Sequence, residues 1–422
     1  MRPVQGPEND TKHFIPTKEQ GEMRPCESKS PKSLGFSGLK KAAERVRIFI
    51  RGKMKSKTKA VPFVLFLSVF IMAISFGGQK AEWKGTIEKI DGITVIKNRK
   101  EPMYSEDVFS VEEELYIGDT EGKGNYVFNH LSYLAVDNEE NIYAMDQGET
   151  HVKVFDKNGT FVRIIGKRGE GPGELLQPNE IFILDNNQLI IEDYIRNLTY
   201  YSLEGEYIKA QSTTKIFPIA ILVNSQGKIL AITNINEPDK SGKEIGLYDE
   251  NLNHLKNLIS DPKPKPNPQI LKTFQPKINW ALLKDDQIVI SYKADYELQI
   301  FDAQGKLTKK ITKEHEPVRI TEEDKKQRVR RVSEGRKLVV PKYFPAIHSI
   351  TTDDEGRIFV RTYKKIGERK YYNDVFDSEG RCIAKVALKD RLKVWKKNKL
   401  YTIEEDEEGY QKIKRYKVTW KY

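Results

Sequence analysis

LSYLAVDNEENIYAMDQGETHVKVFDKNGTFVRIIGKRGEGPGELLQP, residues 131–178, holds four runs in which apolar and polar residues alternate, separated by Asp, Asn, Gly and Glu. Ile, Val, Tyr and Phe at every second position suit a half-buried strand, and DKNG puts glycine where a tight hairpin needs positive φ. The stretch predicts a four-stranded antiparallel meander and, after it, a glycine-rich connection.

Five more units follow the same plan. IFILDNNQLIIEDYIRNLTYYSLEGEYIKA starts at Ile181, and AILVNSQGKILAITNIN, from Ala220, leads to IGLYDENLNHLKNL. WALLKDDQIVISYKADYELQIFDAQGKLTKKI starts at Trp280 and HSITTDDEGRIFVRTYKKIGERKYYNDVFDSEGRCIAKV at His348. The last, LKVWKKNKLYTIEEDEEGYQKIKRYKVTW, stops after three strands. Each third run ends on an aromatic residue, Phe155, Tyr201, Tyr248, Phe301, Phe376 and Tyr416, at spacings of 46, 47, 53, 75 and 40 residues. Small sheets repeated six times close most economically into a ring. The expected fold is all-β, a six-bladed β-propeller over residues 85–420. Its sixth unit needs an outer strand from the N-terminal side, and GTIEKIDGITVIKN, residues 85–98, is the expected donor because pairing it there leaves no open edge.

The glycines of IGKRGEGPGELLQP, residues 165–178, fall between one unit's fourth strand and the next unit's first. A phosphate-binding loop needs its glycines to open a helix, and a P-loop also ends in Gly-Lys-Ser/Thr; neither is present. The stretch therefore reads as an inter-blade turn. It resembles the NHL repeat, whose turn has the form G-x-x-G-x-G-P-G-x-[FL]-x-x-P, matched by Gly166, Gly169, Gly171, Pro172, Gly173 and Pro178. AVDNEENIYAMD and VKVFDKNG, just before, look like the rest of that repeat. The resemblance is specific around residues 131–178 and looser elsewhere, and it implies an exported bacterial six-bladed propeller.

Charge is unevenly placed. The net charge is +11, but residues 1–59 carry 15 Lys/Arg against 6 Asp/Glu, leaving 57 against 55 for the rest. A body so nearly neutral lacks the clustered cations of a nucleic-acid footprint, so no nucleic-acid partner is expected. Residues 1–53 are rich in Lys, Pro, Ser, Gly and Glu and are expected to form a disordered basic tail, or to precede a true start at Met54. Within 54–79 a basic flank precedes a largely apolar stretch of 17 residues, Ala60 to Phe76, which spans about 26 Å as a helix. A cleaved signal peptide and a membrane anchor both fit this segment, and either one exports the residues beyond it to the periplasm or the cell exterior. Cys26 and Cys382 would then lie on opposite sides of the membrane.

Four residues past the first apolar residue of each second strand stand Asp146, Asp193, Thr233, Tyr292, Thr362 and Glu404. Blade six adjoins blade one, so Glu404, Asp146 and Asp193 are consecutive around the ring. Such an acidic arc at the channel mouth offers oxygen ligands for Ca2+ or a pair of acid–base groups. The alternative is that each carboxylate caps its own turn. Insertions are expected at 260–277 and 314–343, on the face that carries the arc. The second contains Thr321 three residues before Asp324, a capping-box-like helix start, followed by Lys325, Lys326, Arg328, Arg330 and Arg331 with few apolar residues. These five cations form a candidate interaction helix. The function expected is non-enzymatic binding of a protein, peptide or glycan; the alternative is a metal-dependent hydrolase or lyase built on the arc.

Overall fold

The computed structural model describes residues 82–422, apart from 105–107, 120–123, 195–196, 330–335, 368–369 and 390–391. The tail at 1–53 and the apolar segment at 54–79 lie outside the described residues. Among the described residues no helix is long and apolar enough to cross a membrane.

The alternating runs become antiparallel strands, and each unit becomes one four-stranded blade. Blade one comprises Leu131–Val136, Ile142–Asp146, His151–Phe155 and Phe161–Ile165. Blade two starts at Pro178–Ile183, blade three at Ala220–Val223, blade four at Asn279–Leu282, blade five at Ser349–Thr352 and blade six at Leu392–Lys396. The hairpin turns recur in one form. In DKNG, Gly159 takes φ 83° and donates to the Asp156 carbonyl, while Asp156 Oδ1 accepts from the amides of Asn158 and Thr160. Asp249, Asp302, Asp353 and Asp377 each accept the same pair of amides two and four residues on. These Asx turns supply locally the partners that a tight hairpin leaves missing.

The third-strand aromatics also have a shared role. In all six blades the pairing of third to fourth strand slips by a residue beside Phe155, Tyr201, Tyr248, Phe301, Phe376 or Tyr416. A bulge there increases the local twist of the blade's outer half. The core is divided accordingly into six apolar clusters, one at each seam between neighbouring blades, including the seam that joins blade six to blade one through Ile117, Tyr401, Ile413, Leu134 and Phe155. Every seam buries whole side chains at about 25 cal/mol per Å2 of apolar surface, so the ring is held by its neighbours all the way round.

Closure differs from the expectation in one respect. The strand that completes blade six is Phe109–Ile117, antiparallel to Gln411–Trp420. Residues 85–98 do not close the ring: Thr86–Ile90 and Ile93–Asn98 form a hairpin that adds to blade four, with Ile93–Asn98 parallel to its outer strand Leu307–Lys313. The two candidates differ in their distance along the chain from blade one. Blade one reaches blade two through the 12 residues 166–177. Phe109–Ile117 reaches blade one through the 13 residues 118–130, a connector of similar length, whereas residues 85–98 would need one of 32. The hairpin is nonetheless well seated. Buried Asn98 accepts from Trp83 Nε1 (2.9 Å) and the Cys382 amide (2.7 Å) and donates to the carbonyls of Gly380 (3.0 Å) and Thr312 (3.2 Å).

The glycine-rich connection turns a corner, as expected. Gly166 and Gly173 have φ of 75° and 72°, the amide of buried Leu175 donates to the Lys167 carbonyl, and the Tyr201 hydroxyl donates to the Gly173 carbonyl at 3.0 Å.

The two insertions meet. The outer strand of blade three continues through the start of the first insertion as His254–Pro264. Beyond it, Ile270–Lys272 pairs in parallel with Lys337–Val339 of the second insertion. Further backbone bonds join Thr273 to Val339, Phe344 to Val318, and Ala346 to Ala294 in the loop between the second and third strands of blade four. The insertions thus form one cap, fastened to the face on which those loops emerge.

Candidate functional site

The acidic residues at the second-strand ends come first. Asp146 is fully buried; Oδ2 accepts from the Asn129 amide at 3.0 Å and Oδ1 from the His130 amide at 2.9 Å. Asp193 repeats the arrangement one blade on, taking the amides of Leu176 at 2.6 Å and Gln177 at 2.9 Å. In both blades the carboxylate therefore staples the incoming inter-blade connection to the second strand. Asp146 also lies 3.7 Å from Lys153, itself buried and donating to the Val127 carbonyl. Glu404 is held differently, by Lys389 Nζ at 2.7 Å and the Tyr416 hydroxyl at 2.6 Å. Burial pushes its pKa up, but those two hydrogen bonds outweigh burial and hold it below the ordinary carboxylate value. Among the described residues no three His, Cys, Asp or Glu side chains gather closely enough to hold a metal ion. Asp146 and Asp193 thus turn their oxygens to backbone amides, and Glu404 divides its oxygens between Tyr416 of its own blade and Lys389 of blade five.

A larger concavity lies under the cap. Phe274 from the first insertion, Val318, Arg319 and Phe344 from the second, and His348, Tyr363, Lys364, Lys365 and Tyr371 from blade five line a cleft of about 640 Å3, within the ~300–1,000 Å3 range of small-ligand sites. Blade five reaches it because its second and third strands are long, Ile358–Lys365 and Lys370–Phe376, against five residues each in blade one. The added length carries Tyr363, Lys364, Lys365 and Tyr371 up to the cap.

One wall of the cleft is aromatic. Phe344 and Tyr363 stack with ring centroids 4.2 Å apart and planes 11° from parallel. Phe274 meets Phe344 edge-on at 5.3 Å and 89°, and His348 meets Tyr363 at 4.9 Å and 65°. Arg361 lays its guanidinium 3.8 Å from the Tyr371 ring. Burial raises the Tyr363 pKa, so its phenol stays protonated at neutral pH. Phe274 has φ 53°. A bulky side chain in the left-handed region costs about 1–2 kcal/mol, and strain of this kind gathers at ligand sites.

The helix at the cleft's rim is Glu322–Val329, and its start is reciprocal as expected: the Asp324 amide donates to Thr321 Oγ1 at 3.2 Å, and Asp324 Oδ2 accepts the Thr321 amide at 2.9 Å. Of its expected cations, Lys325 pairs with Glu322 at 2.6 Å, Lys326 and Arg328 lie on the helix, and Arg330 and Arg331 fall outside the described residues. The aromatic residues of the cleft were not singled out from sequence. The available signal was that both insertions leave the ring on the same face and that each ends near an aromatic residue, Phe274 and Phe344.

Comparisons with known proteins bear on the fold. Residues 92–278 match a family model described as 6-bladed beta-propeller. A "Putative exported protein" from Bacteroides fragilis NCTC 9343 superposes with a TM-score of 0.52 at 12% identity, covering 78% of this chain and 100% of that one. A member of the DUF4221 family from Bacteroides vulgatus covers 75% of this chain and 100% of its own at 11% identity, with a TM-score of 0.47. Protein brain tumor of Drosophila melanogaster is 24% identical over 132 residues, 30% of this chain, and the chain spans only 12% of that protein's length. The family model and the Bacteroides fragilis structure agree with a six-bladed propeller, with which an NHL-like character is consistent, and leave the ligand to be argued from the site.

Proposed function

We propose that this six-bladed β-propeller is an exported, non-enzymatic binding module that takes a protein, peptide or glycan ligand in the cleft between its two insertions. The observation that carries the reading is the aromatic wall: Phe274, Phe344 and Tyr363 come from three separate segments, meet in one half-exposed stack, and include a residue held in a strained backbone conformation. Rigid aromatic surface flanked by polar groups is the usual composition of a recognition site. The basic flank and apolar run at 54–79 support export, as does the printed name of the Bacteroides fragilis protein of similar fold.

The test is a thermal-shift screen of the intact chain against glycans and peptides, repeated with Phe344→Ala and Tyr363→Ala. A ligand that raises the Tm of the parent and of neither variant supports the reading. A ligand whose effect survives both changes places recognition elsewhere, and conversion of a bound ligand to product would replace the binding reading with an enzymatic one.

A further inference from the structure

We infer that the ligand of this cleft is an acidic saccharide, a sugar chain bearing carboxylate or sulfate groups; the inference rests on the cleft being the ligand seat. Two features of the lining carry it together. The first is the wall formed by Phe344, Tyr363 and Phe274, a half-exposed aromatic stack whose remaining ring surface can pack against the C–H groups of a pyranose ring.

The second is the state of the charges beside that wall. Arg319 and Lys365 make no ion pair or side-chain hydrogen bond among the described residues, although both line the cleft. Lys364 has a long contact, 4.0 Å, to Glu316, whose carboxylate is already engaged by Lys100, and Lys364 and Lys365 lie 5.8 Å from the ring centroids of Tyr372 and Tyr371. On the acidic side, Asp324 accepts both the amide and the hydroxyl of Thr321 in the helix cap, and Glu323 lines the cleft beside it, so three cations face two carboxylates. The cleft thus presents uncommitted cations next to a stacking surface, and charge-assisted hydrogen bonds to an anionic oxygen are about twice as strong as neutral ones.

Other anionic polymers fit less well. A single-stranded nucleic acid needs a cationic track along its backbone as well as stacking, and three cations in one cleft do not make a track. An extended acidic peptide would dock by adding to a strand edge, but the cap's sheet offers strands of only three residues, Ile270–Lys272 and Lys337–Val339, and among the described residues no Asn or Gln lines the cleft to read a peptide backbone.

The test uses the intact chain and titration calorimetry with a galacturonic acid trisaccharide, its methyl-esterified form, a sulfated disaccharide, a tri-glutamate peptide and an oligouridylate. The expected result is binding of at least one acidic sugar and at least tenfold weaker binding of the methyl ester, which keeps the ring faces and loses the charge. Arg319→Ala with Lys365→Ala, both at the surface, should weaken the acidic sugar about tenfold without changing the Tm. Tyr363→Ala should abolish binding, and Tyr363→Phe should restore it if stacking is the contribution. Equal binding of the acid and its ester, or binding of the peptide or oligonucleotide in place of both acidic sugars, overturns the saccharide assignment and leaves the cleft as the seat. Acidic-sugar binding that is indifferent to the Arg319, Lys365 and Tyr363 changes overturns the seat itself.

Discussion

In blade one the second and third strands have five residues each and finish at Asp146, a carboxylate with no exposure that accepts two backbone amides and lies beside buried Lys153. In blade five the corresponding strands have eight and seven residues and finish in Tyr363, Lys364, Lys365 and Tyr371, partly exposed and facing the cleft under the cap. The same hairpin therefore serves in one blade to fasten the next connection and in the other to hold side chains out from the ring. Blade one places its charges where neighbours satisfy them, and blade five leaves cations where a ligand can reach them.

The largest expected effect is on the framework side. Deleting Phe109–Ile117 removes the outer strand of blade six and takes Ile117 from the seam with blade one. The loss should equal most of a total stability that is commonly about 5–15 kcal/mol, and the cooperative urea transition should disappear. Deleting residues 82–98 strips Ile96 and Asn98 from the seam of blades four and five but leaves the ring closed, so a cooperative transition should persist at lower urea. If both deletions behave alike, the distinction between closing strand and added hairpin fails.

Next comes Asp146→Ala. Lys153 would be left buried without its carboxylate, and the amides of Asn129 and His130 would lose their acceptor. A cost of about 3–5 kcal/mol in urea unfolding is expected, as for other buried pairs broken from one side. Tyr363→Ala in blade five should cost under about 1.5 kcal/mol, close to the value of an aromatic pair. Comparable losses would show that blade five's hairpin is framework too.

Phe274→Gly is expected to leave stability within about 1 kcal/mol of the parent. Relief of the left-handed strain, about 1–2 kcal/mol, offsets the lost edge contact with Phe344 and the greater freedom of glycine in the unfolded chain. A clear loss would mean that the ring is a packing element, whereas unchanged stability with weakened ligand binding separates the cleft from the framework most cleanly.

The smallest effect concerns His151, which adjoins Asp146. Burial, reinforced by Lys153, lowers its pKa below the ordinary 6.5, and Nε2 has no hydrogen-bond partner among the described residues. Above pH ~6.5 the imidazole is neutral in both states. As pH falls through that value the unfolded chain takes up a proton that the folded one resists, so stability is lost on acidification. The parent should lose under about 1 kcal/mol more than His151→Gln over this window. Parallel stability profiles for the two proteins would show that the site is solvated.

The local parts of this molecule are legible in its sequence. Strand alternation, the Asp-x-x-Gly turns, the third-strand aromatic residue and the Thr321–Asp324 helix start all depend on residues within a few positions of one another, and each stands in the structure where its pattern lies, except that Tyr416 falls inside its strand, which runs on to Trp420. The cap alternative for Asp146 and Asp193 was readable in kind, since Asp favours nearby amides. Its actual partners lie 16 and 17 residues back, across the blade, and no periodicity points to them.

What the sequence alone determined, then, is the repeating unit, its number and the ring. Tertiary structure decided which N-terminal strand closes that ring: Phe109–Ile117 pairs with Gln411–Trp420, while Ile93–Asn98 pairs with the outer strand of blade four, and both pairings join segments far apart along the chain. It also decided the cleft. Phe274, Phe344 and Tyr363 are 70 and 19 residues apart along the chain, and they meet because two irregular insertions pair in parallel above one blade whose hairpin is long enough to reach them. Contacts of that range are set by ring geometry and strand length, which no local window of residues contains.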